Sequence, residues 1–429
     1  MGYPPSKLCR LPPFSALSSN ESTIEIQTNG SIAGFSLDSM AMPHPLTIQA
    51  GAGYQPVINS TLSLVPADTT PLITLRNLNV NTAGSIAPLA VGGNLTAINC
   101  IFNANPAGGG NYVSGVSAAY PSPTTTATLT LTSCTLRGHN GLQAGRSCEN
   151  YIIDRCDITG QVTDLAPVYS GGIINSMNWY TTFGSRMDAT QGLDVISTPR
   201  VVTITNSTVH GGVPLAWPPT TLPNTYYQDE FNTVGPVNAV NTVFDSQNIN
   251  GAGEANRIST SVLPAPQNTS STFKHCTFRS ANAWGAFYFY GGPPATYTYL
   301  NCLFDNVKPA YGIGLDPKAT AVTLAGDGNA YYMPAGSELY PYNLTPFEAT
   351  EHSYLDSQQT DPPLTDNYGN LQQPKALVVA NALPLTPPVL QDKDGNPRPM
   401  PASAARSDIG ADEIDETAPA AISDWAMDP

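Results

Sequence analysis

One four-residue phrase returns along the chain and constrains the fold more than any other feature. It consists of a polar residue, a small residue, any residue, then a large apolar one. It reads Asn99-Cys100-Ile101-Phe102, Ser133-Cys134-Thr135-Leu136, Arg155-Cys156-Asp157-Ile158 and Asn206-Ser207-Thr208-Val209. It continues as Asn241-Thr242-Val243-Phe244, His275-Cys276-Thr277-Phe278 and Asn301-Cys302-Leu303-Phe304, and an earlier copy stands at Asn77-Leu78-Asn79-Val80. Apolar residues alternate ahead of it, as at Leu129 and Leu131, Val202 and Ile204, Tyr297 and Tyr299. Period two is the mark of a strand with one face turned inward.

The second positions of the phrase fall at 78, 100, 134, 156, 207, 242, 276 and 302, so the gaps are 22, 34, 22, 51, 35, 34 and 26 residues. A step of about 22 residues, with insertions of about 12 or more, reproduces them. A coil of that length with three short strands is the unit of a parallel β-helix, whose coils stack ~4.8 Å apart and form ladders of like residues. The repeated Cys is then expected to be a small inward-facing residue in one stack. A zinc site would need paired Cys or His at tight spacing, and no C-x2-C occurs. With seven Cys, five at or near phrase positions, reduced packing thiols are expected rather than a disulfide framework.

Composition agrees with an all-β chain. Charged residues are 11% of the 429, against ~25% in an ordinary soluble domain. Hydrophobic residues are 41%, which argues against a wholly disordered chain. The 40 Pro and 36 Gly exclude coiled coils and helical bundles, and no Gly-X-Y period exists. A formal charge of -15, from 17 basic and 32 acidic residues, argues against a nucleic-acid partner. No run of 18 apolar residues is available for a spanning helix, so no membrane insertion is expected. Residues 1–10 lack a long apolar stretch, so no signal peptide is recognisable.

Both ends carry a resemblance. Thr23-Ile24-Glu25-Ile26, Gly30-Ser31, Pro45-Leu46-Thr47-Ile48-Gln49-Ala50-Gly51 and Pro56-Val57-Ile58 resemble the opening coils of right-handed β-helix repeat proteins. Asp394-Gly395-Asn396-Pro397-Arg398-Pro399, followed by Asp408-Ile409-Gly410-Ala411-Asp412-Glu413, is similar to the closing segment of many bacterial and phage members. With the coils, the resemblance covers about residues 20 to 415. It implies an all-β, right-handed parallel β-helix of the pectin-lyase-like superfamily, roughly ten coils and on the order of 50 Å long. Pectin lyases, glycosidases, phage tailspikes and non-catalytic adhesins share that architecture, so it names no activity. The expected organisation is an N-terminal arm over 1–20, the β-helix with long loop insertions over 21–325, a Pro-rich wrapping or cap segment over 326–415 and a tail over 416–429. Open solenoid ends expose strand edges that such a cap would cover.

Chemistry is sparser. The polygalacturonase-like pattern fails: there is no Asp-Asp dipeptide and no Arg-Ile-Lys, and Gly138-His139-Asn140-Gly141 breaks the Gly-His-Gly phrase. A glycosidase would need two carboxylates on adjacent coils, ~5 Å apart for retention or ~6.5–9.5 Å for inversion. The catalytic candidates are Asp188 and Asp194 in the 159–200 insertion and Asp229 and Glu230 in the 210–240 insertion. Asp245 and Asp305, just after the phrase, are expected to stack on one side; the plainer reading of all these acids is turn-forming or solvated residues. Aromatics concentrate in the same insertions: Trp179, Tyr180, Trp217, Tyr226 and Tyr227, with Trp284, Tyr288 and Tyr290 following. Displayed from loops they would stack on sugars or bury at an interface, and otherwise they pack the loops onto the coils. His139, His210 and His275 sit in different contexts, so no shared metal or acid–base column is expected.

The resemblance and the low-charge, Thr-, Asn- and Gly-rich composition together suggest a virion-surface protein of a phage without enzymatic activity. Its expected form is a tail spike, fibre or capsid-surface decoration, homotrimeric, touching other virion proteins and host surface polysaccharide, with no cofactor and no metal. The alternatives are a polysaccharide hydrolase or lyase, as a phage depolymerase or secreted enzyme, and a bacterial cell-surface adhesin or sheath protein.

Overall fold

A computed structural model of the chain describes residues 22–37, 44–65, 72–83, 87–105, 114–118, 127–138, 140–144, 148, 150–162, 169–175, 201–214, 227–233, 237–246, 256–259, 269–280, 287–290, 295–306, 313–315, 322–335, 354–359, 364–366, 370–372, 378, 381–399 and 406–414. Among them each regular element is a β-strand, paired in parallel with its equivalent one coil later. Sheet A has 11 strands, from Ser22–Ile26 to Val322–Asp327. Sheet B has 12, from Ser31–Ile32 to Tyr354–Gln359, and sheet C has 9, from Leu62–Leu64 to Ile313–Leu315. Successive coils visit A, then B, and in nine of them a sheet C strand, so the 11 strands of sheet A count 11 coils among the described residues, where the spacing implied roughly ten.

The phrase marks the corner between sheets A and B. Its first residue, from Asn77 through Asn99, Ser133, Arg155, Asn206, Asn241 and His275 to Asn301, has φ between 49° and 56°. That left-handed conformation turns the chain sharply within two residues; Asn tolerates it better than most side chains, because its short amide bonds locally. Gly328 takes the position in the last coil at φ 67°. Gly328-Asn329-Ala330-Tyr331 is thus a further copy that the sequence pattern alone did not expose.

The second residue does more than fit. Cys100, Cys134, Cys156, Cys276 and Cys302 each donate Sγ–H to the carbonyl two residues back, at 3.3 to 3.6 Å. Ser207 and Thr242 do the same through oxygen at 2.7 and 3.0 Å. The side chain also accepts an N–H from the preceding coil: Cys134 N reaches Cys156 Sγ, Cys156 N reaches Ser207 Oγ and Cys302 N reaches Asn329 Oδ1. A left-handed corner leaves backbone groups outside the ladders, and a buried orphan costs ~1–3 kcal/mol. From Cys100 onward the position therefore favours a compact side chain with hydrogen-bonding capacity, whereas Leu78 fills it in the third coil by packing alone.

The fourth residue fills the interior. Val80, Phe102, Leu136, Ile158 and Val209 share one inward row of sheet B, all fully buried. The row becomes aromatic from Phe244: Phe244, Phe278, Phe304 and Tyr331 stack in sequence at centroid distances of 5.2, 5.0 and 4.8 Å. Phe273 and Tyr299 of sheet A stack beside them at 5.1 Å.

Cys100, Cys134, Cys148, Cys156, Cys276 and Cys302 are free and buried. Reactivity needs an accessible thiolate, and burial raises the Cys302 thiol well above its ordinary value. In an aromatic-disulfide titration these six are expected to stay unreacted in the native protein and to react on denaturation. Fast labelling of any of them without unfolding would contradict this packing.

A second apolar cluster lies outside the solenoid. Leu303, Ala330 and Tyr332 on the outer face of sheet B pack against Leu364, Val378, Ala382 and Ile409. The chain thus folds back over its own last coils.

Candidate functional site

Two outward rows of sheet B carry the most organised polar chemistry among the described residues. The first runs Asn79, Ile101, Thr135, Asp157, Thr208, Val243, Thr277, Leu303, Ala330. The second brings His210, Asp245, Arg279, Asp305 and Tyr332 opposite one another on successive coils. Asp245 and Asp305 therefore do share one side of the helix, but Arg279 stands between them.

Asp245 is fully buried. Arg279 Nη1 donates to its Oδ1 at 2.8 Å, and His210 Nδ1 lies 3.2 Å from its Oδ2. Asp305 is fully buried as well and accepts from Leu364 N, Thr365 N and Thr365 Oγ1 at 3.1, 2.8 and 2.5 Å. Burial pushes its carboxyl above the ordinary value, while those donors and Arg279 pull it down. A catalytic pair must reach a substrate. These two carboxylates instead fix neighbouring coils and receive the returning chain.

The returning chain grips the same face at several points. Asn241 Nδ2 donates to Gln391 O, and Asn301 makes a two-point contact with the backbone of Leu383. Asn301 Nδ2 also lies 3.2 Å from His275 Nε2. Burial and the Arg398 charge hold His275 well below its ordinary value, hence neutral. Asp392 Oδ1 accepts Asp394 N and Asn396 N, closing a turn in which Gly395 adopts φ 90°. Arg398 lies fully buried against Asp408 O, Gly410 O and the Glu413 carboxylate, at 3.0, 2.8 and 2.8 Å. Gly410 has φ 104°, and a Cβ there would meet Thr277 Oγ1 at 2.9 Å and Leu303 Cβ at 3.1 Å, so only Gly fits this contact. The closing motif is a clasp, and each of these residues has a part in it.

Asp392, Asp394 and Asp412 place ligand-type oxygens within 4.8 Å of one another. Lys393 Nζ already bonds Asp394 and Asn370, so a fixed positive charge faces this cluster. Burial pushes the Asp412 carboxyl up to about 6, against the bond from Leu371 N and the Lys393 charge. A folded-state value above the ordinary 3.8 means stability that is complete below that value and lost as pH rises through about 6. Asp412→Asn, neutral throughout, is expected to gain thermal stability on the parent between about pH 4 and 6 and to hold that gain above. A stability difference independent of pH over this range would contradict the burial of that carboxyl.

The other residues singled out from sequence are not brought together by the described structure. Asp188, Asp194, Trp179, Tyr180, Trp217, Tyr226, Trp284 and His139 lie outside the described residues. The reading of 210–240 as one insertion is corrected: Tyr227–Thr233 is the sheet C strand of its coil, so Asp229, Glu230 and Tyr227 have strand backbone. Tyr169–Asn175 and Phe287–Tyr290, the latter with Tyr288 and Tyr290, likewise belong to sheet C. His210 stands in the second outward row and His275 at a corner, so they form no column.

Three parallel sheets, in which each strand pairs with its equivalent one coil later, decide the architecture. The chain is a right-handed parallel β-helix. No family model and no curated protein matches this β-helix. Among solved structures it is similar to the crystal structure of pectate lyase Pel9A, with 12% identity, 93% of this chain and 90% of that chain covered, and a TM-score of 0.37.

Proposed function

We propose that this β-helix is a non-enzymatic structural and attachment protein of a phage particle, a tail spike, fibre or surface decoration that assembles as a homotrimer. One observation carries the reading. The in-register carboxylates Asp245 and Asp305 are buried and hydrogen-bonded to their own chain, so they hold a shaft together and do not face a substrate. The low charge and the aromatic-rich insertions fit a rigid shaft that presents contact surfaces to other virion proteins and to host polysaccharide.

A reducing-end assay on the purified protein, with unsaturated-product absorbance read alongside, tests it against a panel of bacterial polysaccharides. No product is expected. Product release would overturn the non-enzymatic reading, and Asp188, Asp194, Asp229 and Glu230 would be replaced next.

A further inference from the structure

The clasp holds a lysine amine against a side-chain amide. Two short turns of the returning chain, each closed by an antiparallel bridge, bring the pair together: Thr365 to Leu371 and Gln391 to Pro397. The first presents Asn370, whose N and Nδ2 donate to Asp366 Oδ1 and Oδ2, both at 2.9 Å. The second presents Lys393, whose N donates to Ala411 O at 2.9 Å. Asp412 ties the same stretch to the first turn by accepting Leu371 N at 2.8 Å. Between these fixed backbones Lys393 Nζ lies 2.5 Å from Asn370 Oδ1 and also bonds the Asp394 carboxylate.

The surroundings suit a reaction between the two side chains. The Lys393 side chain is 6% exposed and Asp412 is 8% exposed, so little water competes for the amide carbon. The contact from Nζ to Oδ1 polarises the Asn370 carbonyl toward attack at Cγ. The opposite end of that amide, Nδ2, is the group that would leave, and Asp366 Oδ2 holds it. A carboxylate that can take a proton from Nζ, that of Asp394, is already bonded to it. Amides resist amines in solution, but holding the two groups together supplies an effective concentration of ~10⁵–10⁸ M.

We propose that Lys393 and Asn370 join in an intramolecular isopeptide bond, a covalent staple across the clasp that the folded chain makes by itself. Lys393 Nζ gives one proton to the Asp394 carboxylate and forms a bond to Asn370 Cγ. A second proton passes from the attacking nitrogen to Nδ2, the Cγ–Nδ2 bond breaks, and Nδ2 departs as ammonia. Ammonia takes the proton back from Asp394 and leaves as ammonium. One C–N bond forms and one breaks, with no change of oxidation state and no co-reactant. The staple closes residues 370–393 into a ring and restricts the unfolded chain as a disulfide would. It removes the Lys393 charge. Burial, the largest cause of the raised Asp412 carboxyl, remains, so the pH dependence expected of Asp412→Asn keeps its direction.

The test is the intact mass of the purified full chain, with peptide mapping after proteolysis. The folded parent is expected to weigh less than its sequence by the mass of one ammonia, and to yield one branched peptide joining positions 370 and 393. Lys393→Arg, which keeps the charge but removes the amine nucleophile, and Asn370→Ala should both have their full calculated mass and yield no branched peptide. A parent that melts cooperatively yet keeps its full mass overturns the proposal, whatever the variants do. Loss of ammonia without the branched peptide overturns it too, because an Asn followed by Gly, such as Asn29, can lose ammonia by closing on its own backbone. The staple does not depend on the attachment reading: product release in the polysaccharide assay would sink that reading and leave this measurement unchanged.

Discussion

Phe278→Asp is expected to abolish cooperative folding of the C-terminal coils. Phe278 is wholly buried, stacked on Phe244 and Phe304 at 5.2 and 5.0 Å, with Phe273 and Tyr299 meeting it edge-on at 5.5 and 5.9 Å. Truncating such a ring to Ala costs ~3–5 kcal/mol. A carboxylate in its place adds a desolvation cost of several kcal/mol with no cation beside it in the stack. The sum rivals the ~5–15 kcal/mol that holds a typical domain together. Because each coil contacts only its neighbours, the loss should centre on coils 8 to 11 and leave an N-terminal fragment that resists protease. Circular-dichroism melting and limited proteolysis read both effects. A variant that melts like the parent would show that Phe278 is not in the stack.

Arg398→Met should release the clasp. The guanidinium is fully buried with the Glu413 carboxylate at 2.8 Å, and removing it strands that carboxylate in a site from which water is excluded. Breaking one side of a buried pair costs ~3–5 kcal/mol, whereas replacing both partners with apolar groups is often close to neutral. The single variant is therefore expected to expose residues 381–399 to protease at a temperature where the parent resists. Arg398→Met combined with Glu413→Leu should recover most of that resistance. Equal loss in the single and double variants would mean that the carbonyl contacts to Asp408 and Gly410, and not the ion pair, hold the clasp.

The sequence exposes the coils where their geometry is invariant and hides them where it is not. From the third coil on the A-to-B corner is two residues, so its left-handed residue, most often Asn, and from Cys100 its Cys, Ser or Thr recur at a fixed offset from the apolar column. Insertions enter between sheets B and C and between C and the next A, as at residues 215–226 and 176–200. No short motif marks sheet C, which is why Tyr169–Asn175 and Tyr227–Thr233 merge with the insertions when read as sequence. The hydrogen-bonding duty of the second phrase position was also hidden, since Cys looks like a small apolar residue until its orphaned carbonyl is seen. The site was less legible still. Asn241 meets Gln391 across 150 residues and Asp305 meets Thr365 across 60, and no local pattern reports such pairs. Asp305 therefore read as a turn acid or half of a catalytic pair. Arg398 and Gly410 read only as parts of a familiar closing motif, without the contacts that give them work.

The clasp depends on the outer rows and corners of sheet B gripping the backbone of the returning chain. Amide hydrogen exchange at Leu364, Thr365, Leu383 and Ala411 measures that grip directly, because each donates to a side chain of the shaft. All four are expected to be strongly protected in the parent. In Asp305→Ala, protection at Leu364 and Thr365 should fall by orders of magnitude, while the interior strand Leu303–Asn306 stays protected. Rapid exchange at all four positions in the parent, with the strands of sheet B still slow, would contradict the docked segment and the readings built on it.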